Sequence, residues 1–210
     1  MSGWVQETAG RVMRGIAWLL VHACYRVRRR RTGLIPAQGP ALLVANHVSF
    51  LDAVLVALAS PRPVRFVMYY RIFQAPLLSW FFKALGAIPI AGAKEDAAIH
   101  EAAFARIAAA LRAGELVCIF PEGQLTKDGQ MTPFRPGVLR ILRETPVPVV
   151  PVAVRGAWGS IFTYCRDLRA RTWPRRLWRR LEVVVGHTLP PTATLEEMQA
   201  RVLGLRGAKL

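Results

Sequence analysis

The sequence predicts an α/β fold: a central, mostly parallel or mixed sheet flanked by helices. Short apolar runs that read as buried strands alternate with stretches of helical periodicity over most of the chain. No internal repeat or low-complexity linker interrupts that alternation. Polar groups able to do chemistry follow two of the strands directly, and the carboxyl ends of strands are where an open α/β sheet holds its ligands.

In order, residues 41–45 read as a buried strand and residues 50–60 as a helix that Pro61 stops. Residues 64–68 suit a second strand. Residues 70–85 are apolar and aromatic, with Phe73, Leu77, Leu78, Trp80, Phe81 and Phe82, and are broken near Pro76. This segment fits either a plain core element or a surface touching lipid. Residues 86–90 suit a short strand. Residues 94–113 form the clearest helix: Ile99, Ala103, Ile107 and Leu111 recur at i+4, Glu95 and Asp96 favour the positive N-terminal end, and Arg112 and Gly114 close it. A strand at 116–120, a helix at 135–144, and strands at 147–154 and 182–185 follow. A last helix at 195–205 is capped by Thr194.

With 210 residues the chain fits one ordinary domain with a substantial core. Hydrophobic residues make up 53% of it, and 29 basic residues against 13 acidic give a net charge of +16. Apolar and basic together fit a protein resting on an anionic membrane surface. Nucleic-acid binding also needs excess Arg, but no nucleic-acid motif accompanies it. No run reaches the roughly 20 apolar residues that span a bilayer. Residues 16–25 form an apolar run followed by Arg26, Arg28, Arg29, Arg30 and Arg31, the reverse of a signal peptide's charge order. Residues 3–30 therefore read as an amphipathic helix lying in the interface, with Trp4 and Trp18 as anchors; an ordinary surface helix is the competing reading. The expected division is a membrane-associating segment at 1–31 and the main domain at 32–210. The three cysteines, Cys24, Cys118 and Cys165, show no paired metal-ligand spacing, so neither a metal site nor a disulfide framework is expected.

The first motif is Asn46-His47-Val48-Ser49-Phe50-Leu51-Asp52, in the turn between a strand and a helix. There the loop can fold the His47 imidazole back toward the Asp52 carboxylate, the arrangement needed for general-base removal of a hydroxyl proton. A solvated His beside a capping Asp is the bland alternative. Ser49 lacks a nucleophile elbow and suits a helix cap. The second motif, Phe120-Pro121-Glu122-Gly123-Gln124-Leu125-Thr126, places an acid and a glycine just past a buried strand. Alone, it is also a common turn.

Together these segments resemble the glycerophospholipid acyltransferases, the family that includes bacterial lysophosphatidate acyltransferase. Asn46 through Asp52 is similar to its His-four-residues-Asp motif, Phe120 through Gly123 to its substrate-binding motif, residues 86–90 to its middle block and residues 147–152 to its last block. The resemblance implies His47 as general base on a glycerol hydroxyl and Asp52 as its orienter. It implies Glu122, Gly123, Gln124 and Thr126 as acceptor-binding residues. The donor would be acyl-CoA or acyl carrier protein, with no cofactor and no metal. It also implies membrane lipids and a lysophospholipid acceptor as partners, acyl carrier protein as a candidate partner, no nucleic acid, and a peripheral or monotopic location on the cytoplasmic face of the inner membrane.

The chain departs from that pattern where lysophosphatidate enzymes commonly carry two arginines. Gly92 stands at one position, after Ala91, and Leu125 at the other. Lys94, Lys127 and Arg135 are the remaining nearby cations, of which Lys94 and Arg135 are expected to help bind the acceptor. Arg grips a phosphate monoester bidentately, which Gly and Leu do not replace. Residues 120–137 are similar to 2-acylglycerophosphoethanolamine acyltransferase domains, so lysophosphatidylethanolamine is the favoured acceptor; lysophosphatidate and lyso-ornithine lipid are the alternatives. Such domains often occur fused to an acyl–acyl-carrier-protein synthetase or a flippase, for which this chain has no room. Residues 166–180, rich in Arg around Trp173 and Trp178, fit a headgroup belt, a solvated basic face or a carrier-protein dock.

Overall fold

The computed structural model describes residues 15–76, 79–160, 163 and 178–207. Residues 15–24 are helical (α1) and feed β1 (Arg26–Arg30) and a 3₁₀ turn at Thr32–Leu34. Then come β2 (Ala41–Ala45), α2 (Asp52–Ala59), β3 (Val64–Tyr69), α3 (Tyr70–Phe73), α4 (Ser79–Ala84) and β4 (Ile88–Ile90). The chain continues through α5 (Ala97–Arg112), β5 (Leu116–Ile119), α6 (Gly137–Glu144), β6 (Val149–Arg155), β7 (Arg180–Val185) and α7 (Leu195–Arg206).

The strands form one seven-stranded sheet in the order β1-β7-β6-β2-β5-β3-β4. All neighbours are parallel except β6 and β7. The mixed α/β expectation holds. Alternate side chains of the central strands feed two cores. Leu43, Ala45, Leu116 and Cys118 pack with Val21 of α1 and Leu55 and Val56 of α2. Leu42, Val44, Val117 and Ile119 pack with Phe104 and Ile107 of α5, Val138 of α6 and Met198 of α7. Helices thus cover both faces, which is what a central strand without a polar face requires.

One element differs from expectation. The helix read over 3–30 ends at residue 24, and Arg26–Arg30 is an edge strand in register with β7, Arg26 opposite Arg180 and Arg30 opposite Val184. Val27 alone leans on the core, while the arginines stay largely exposed. Pairing with a strand about 150 residues away overrides the local helical pattern, and the charges blunt an edge that would otherwise recruit other chains. The boundary at residue 31 consequently cuts off a strand that belongs to the sheet. Trp4 and residues 166–177 lie outside the described residues.

Within 70–85 the described residues form two short helices, α3 and α4, neither contributing a buried residue to the core; Leu77 and Leu78 lie outside the described residues. Asp96 caps α5, its side chain accepting from the Ile99 amide, so the helix starts three residues later than its periodicity suggested. Thr194 and Glu197 form a capping box on α7.

Candidate active site

β2 ends at Ala45, paired with Val152 of β6, and the main chain then turns away. Asn46 continues the ladder with its side chain. Its carboxamide accepts from the Val154 amide at 2.8 Å and donates to the Val154 carbonyl at 3.0 Å, fully buried. The next residue, His47, is thereby held at the carboxyl end of the sheet. The sequence pattern offered no signal for this role of Asn46 beyond its place in the motif.

Asp52 opens α2 and is fully buried. Its Oδ2 accepts from the amides of Val48 at 2.7 Å and Ser49 at 2.8 Å, and lies 3.1 Å from His47 Nδ1. A carboxylate oxygen already receiving two N–H groups cannot donate, so the ring meets it with Nδ1–H. That tautomer leaves the Nε2 lone pair facing away from the acid. The ring is also stacked on Phe120, centroids 4.2 Å apart. Ser49 Oγ accepts from the Leu51 amide at 3.2 Å, capping the turn that leads into α2 rather than the helix proper, and lies 3.3 Å from Ser160 Oγ.

Glu122 follows β5 at the neighbouring strand end. Its carboxylate is turned inward: Oε1 accepts from the His47 amide at 2.7 Å, and Oε2 accepts from the amide of Thr132 at 2.8 Å and its hydroxyl at 3.1 Å. The residue is 1% exposed. The Glu122 carboxylate thus faces the His47 turn and Thr132 rather than solvent. Glu122 ties the His47 turn to the loop at Thr132. Burial pushes its carboxyl up from the ordinary range, against the opposing hydrogen bonds from Thr132 and His47.

Thr126 also faces inward. It is buried, its hydroxyl donates to Asp128 Oδ1 at 2.9 Å, and its amide donates to the His47 carbonyl at 3.1 Å. Both main-chain polar groups of His47 are therefore held by the second motif. Thr132, which completes the Glu122 cradle, carried no sequence signal.

Gly123 adopts φ +65°, and a Cβ there would come within 2.8 Å of the Arg135 guanidinium. The glycine lets Arg135 lie across the turn, with its own amide donating to the Pro121 carbonyl at 2.9 Å. Gln124 and Arg135 are exposed. Lys94 is exposed in the turn before α5, and no hydrogen bond or ion pair among the described residues links it to His47 or Glu122. Cys118 on β5 is a core residue: burial, with Asp52 nearby, pushes its thiol up, which removes it as a nucleophile at neutral pH. Among the described residues, no group of His, Cys, Asp and Glu could hold a metal ion.

A buried acid holding an imidazole, with the outer ring nitrogen free, can take a proton from a hydroxyl. The family model described as Acyltransferase matches residues 26–155, from β1 to the end of β6. The chain belongs to this acyltransferase family. It is 32% identical over 117 residues to a chloroplastic 1-acyl-sn-glycerol-3-phosphate acyltransferase of Brassica napus, covering 56% of this chain and 33% of that protein. It is 31% identical to a lyso-ornithine lipid O-acyltransferase of Pseudomonas aeruginosa, covering 65% of this chain and 52% of that one. The crystal structure of the 1-acyl-sn-glycerophosphate acyltransferase of Thermotoga maritima shares the acyltransferase fold at TM-score 0.62 and 21% identity, over 85% of this chain and 68% of that chain. The chain spans a third to about half the length of the first curated relatives it matches.

Proposed function

We propose that this acyltransferase moves a fatty acyl group from a thioester, acyl-CoA or acyl carrier protein, to the free glycerol hydroxyl of a lysophospholipid at a membrane surface, on the cytoplasmic face. The observation that carries the reading is the His47–Asp52 pair, 3.1 Å apart at the carboxyl end of β2 inside the family-matched region. His47 Nε2 takes the hydroxyl proton as the acceptor oxygen attacks the thioester carbonyl carbon. The C–O ester bond forms, the C–S bond breaks, and the imidazolium returns its proton to the departing thiolate. Asp52 stabilises the transient imidazolium across the buried bond. No acyl-enzyme and no metal enters the scheme.

The favoured acceptor carries a phosphodiester head group, as in lysophosphatidylethanolamine. Arg135, lying across Gly123, supplies one exposed cation beside the site. Gly92 and Leu125 supply none, where a doubly charged monoester needs more than one. A second reading, a lyso-ornithine acceptor, draws on the similarity to the Pseudomonas protein. A third, lysophosphatidate, draws on the names of the plant and algal relatives. Purified protein with acyl-CoA and a panel of lysolipids differing only in head group separates the three. Transfer that survives His47→Ala would reject the proposed chemistry for all of them.

A further inference from the structure

The order of the sheet sets three groups in a row beginning at His47. β2, β5 and β3 are parallel neighbours. Leu116 of β5 stands opposite Ala41 of β2 and Val64 of β3, so Asn46, Pro121 and Tyr69, each five residues on, leave the sheet at about the same level. His47 follows the first, Gly123 with Arg135 across it follows the second, and Tyr70 follows the third. Neighbouring strands lie about 4.8 Å apart, so the ends of β2 and β3 are about 10 Å apart with β5 between them. The His47 ring rests on Phe120, and Phe120 stacks in turn with Phe66 of β3 at 6.5 Å, so aromatic rings run from the imidazole toward β3.

Glu95 stands at the far end of that row, and it is held in place. Its amide and that of Asp96 donate to the Gly92 carbonyl at 2.9 and 3.0 Å, and Asp96 caps α5, so the backbone is fixed from both sides. Glu95 Oε1 accepts from the Tyr69 hydroxyl at 2.6 Å and the Tyr70 hydroxyl at 3.2 Å, and lies 3.0 Å from the Arg71 guanidinium. Its Oε2 accepts no hydrogen bond from the described residues. The Tyr69 hydroxyl foremost, with Tyr70 and Arg71, holds the carboxyl below its ordinary range, so it is charged at neutral pH. The two tyrosine rings meet edge to face, and Arg71 lies 5.6 Å from the Tyr70 centroid. Arg71 is 66% exposed on α3, a helix with no buried residue. An ion pair that open is weak and exchanges readily, so Arg71 marks a place for a cation without closing it.

We infer that Glu95, with the Tyr69 and Tyr70 rings, is the subsite for the ammonium group of a zwitterionic phosphodiester acceptor. Extended, the head of lysophosphatidylethanolamine runs about 10 Å from free hydroxyl to nitrogen, with phosphorus near the midpoint. The row along β2, β5 and β3 has that length and the matching order of groups: the His47 base, the Arg135 cation and the Glu95 carboxylate. Bound there, the ammonium donates to Glu95 Oε2 and displaces Arg71 from the tyrosine face. A head group without an ammonium leaves the carboxylate unanswered. A phosphate monoester brings it a second negative charge instead, which Glu95 repels. The inference rests on the lysophospholipid acyltransferase reading and adds the residue that selects the head group.

Competition between lysophosphatidylethanolamine and lysophosphatidylglycerol, both diesters, reads the subsite as a ratio of kcat/KM for the full chain with acyl-CoA. Wild type should favour the ethanolamine lipid about tenfold, and Glu95→Gln, the same shape without the charge, should bring the ratio to about one. Arg71→Gln removes the competing cation and should raise the ratio. Lyso-ornithine lipid, an ammonium without phosphate, is the third acceptor; if it outcompetes both diesters, the phosphodiester part of the inference is overturned. Binding separates the subsite from the chemistry. His47→Ala protein titrated calorimetrically with short-chain lysophosphatidylethanolamine should bind about tenfold more tightly than His47→Ala combined with Glu95→Gln, whether or not wild type transfers an acyl group. That difference without any transfer by wild type would support the subsite and reject the acyltransferase reading alone. A head-group ratio unmoved by Glu95→Gln, equal binding by the two His47→Ala proteins, or a fall in the ratio with Arg71→Gln would each overturn the subsite.

Discussion

Asp52 holds His47 and the turn that carries it through a single oxygen, with Oδ2 receiving His47 Nδ1 and the amides of Val48 and Ser49. The orienting acid is thus also the clamp of its own loop. His47→Ala should lower turnover by roughly two to four orders of magnitude with little change in acceptor KM, because the base acts mainly in the transition state. Asp52→Asn should leave a trace of turnover and also cost roughly 2–3 kcal/mol of stability, as charge-assisted hydrogen bonds to Oδ2 weaken. Steady-state kinetics and urea titration read the two effects; wild-type turnover in Asp52→Asn would disprove the pairing.

Glu122 gives a pH-dependent expectation. Burial raises its carboxyl pKa, so the fold favours the protonated form. A group with a raised folded-state pKa contributes fully below its unfolded value and loses that contribution as pH rises through the folded one. The stability of wild type relative to Glu122→Gln should therefore fall as pH climbs above about 4. Thermal midpoints of both proteins across that range check it, and a pH-independent difference would contradict the inward-facing carboxylate.

Asn46 stands in for a peptide group. Asn46→Ala leaves the Val154 amide and carbonyl without their partners in a buried position. The expected loss is roughly 2–4 kcal/mol, about 1–2 per orphaned group. Because the same side chain sets where His47 leaves the strand, turnover should fall too. Equilibrium unfolding within a few tenths of wild type would show that the bridge carries no weight.

On the proposed reading, acceptor choice turns on Gly92 and Leu125. A Cβ at Gly92 would meet nothing closer than Glu95 Cβ at 3.8 Å, so Gly92→Arg fits without strain. Combined with Leu125→Arg, it should shift preference toward a phosphate monoester by about one to two orders of magnitude in kcat/KM, the worth of a charge-assisted hydrogen bond of roughly 1.5–3 kcal/mol. Competition between lysophosphatidate and lysophosphatidylethanolamine in one reaction gives the ratio directly. A wild-type protein already strongly selective for lysophosphatidate would show that Arg135, Lys94 or Lys127 grips the phosphate instead.

The amino-acid sequence by itself determined the alternation of elements and the two motifs at strand ends. Buried runs such as Ala41–Ala45 and the i+4 apolar stripe of α5 are local patterns, and local patterns survive without a fold. His47 and Asp52 were legible for the same reason: five residues span one turn. What the tertiary structure alone decided depends on distant partners. Arg26–Arg30 became a strand because β7 was there to pair with it. Glu122 and Thr126 turned inward because β5 lies beside β2, which puts their loop against the His47 main chain. Direction, register and neighbourhood are properties of pairing across the sheet, and pairing is settled only when remote segments compete for the same edge.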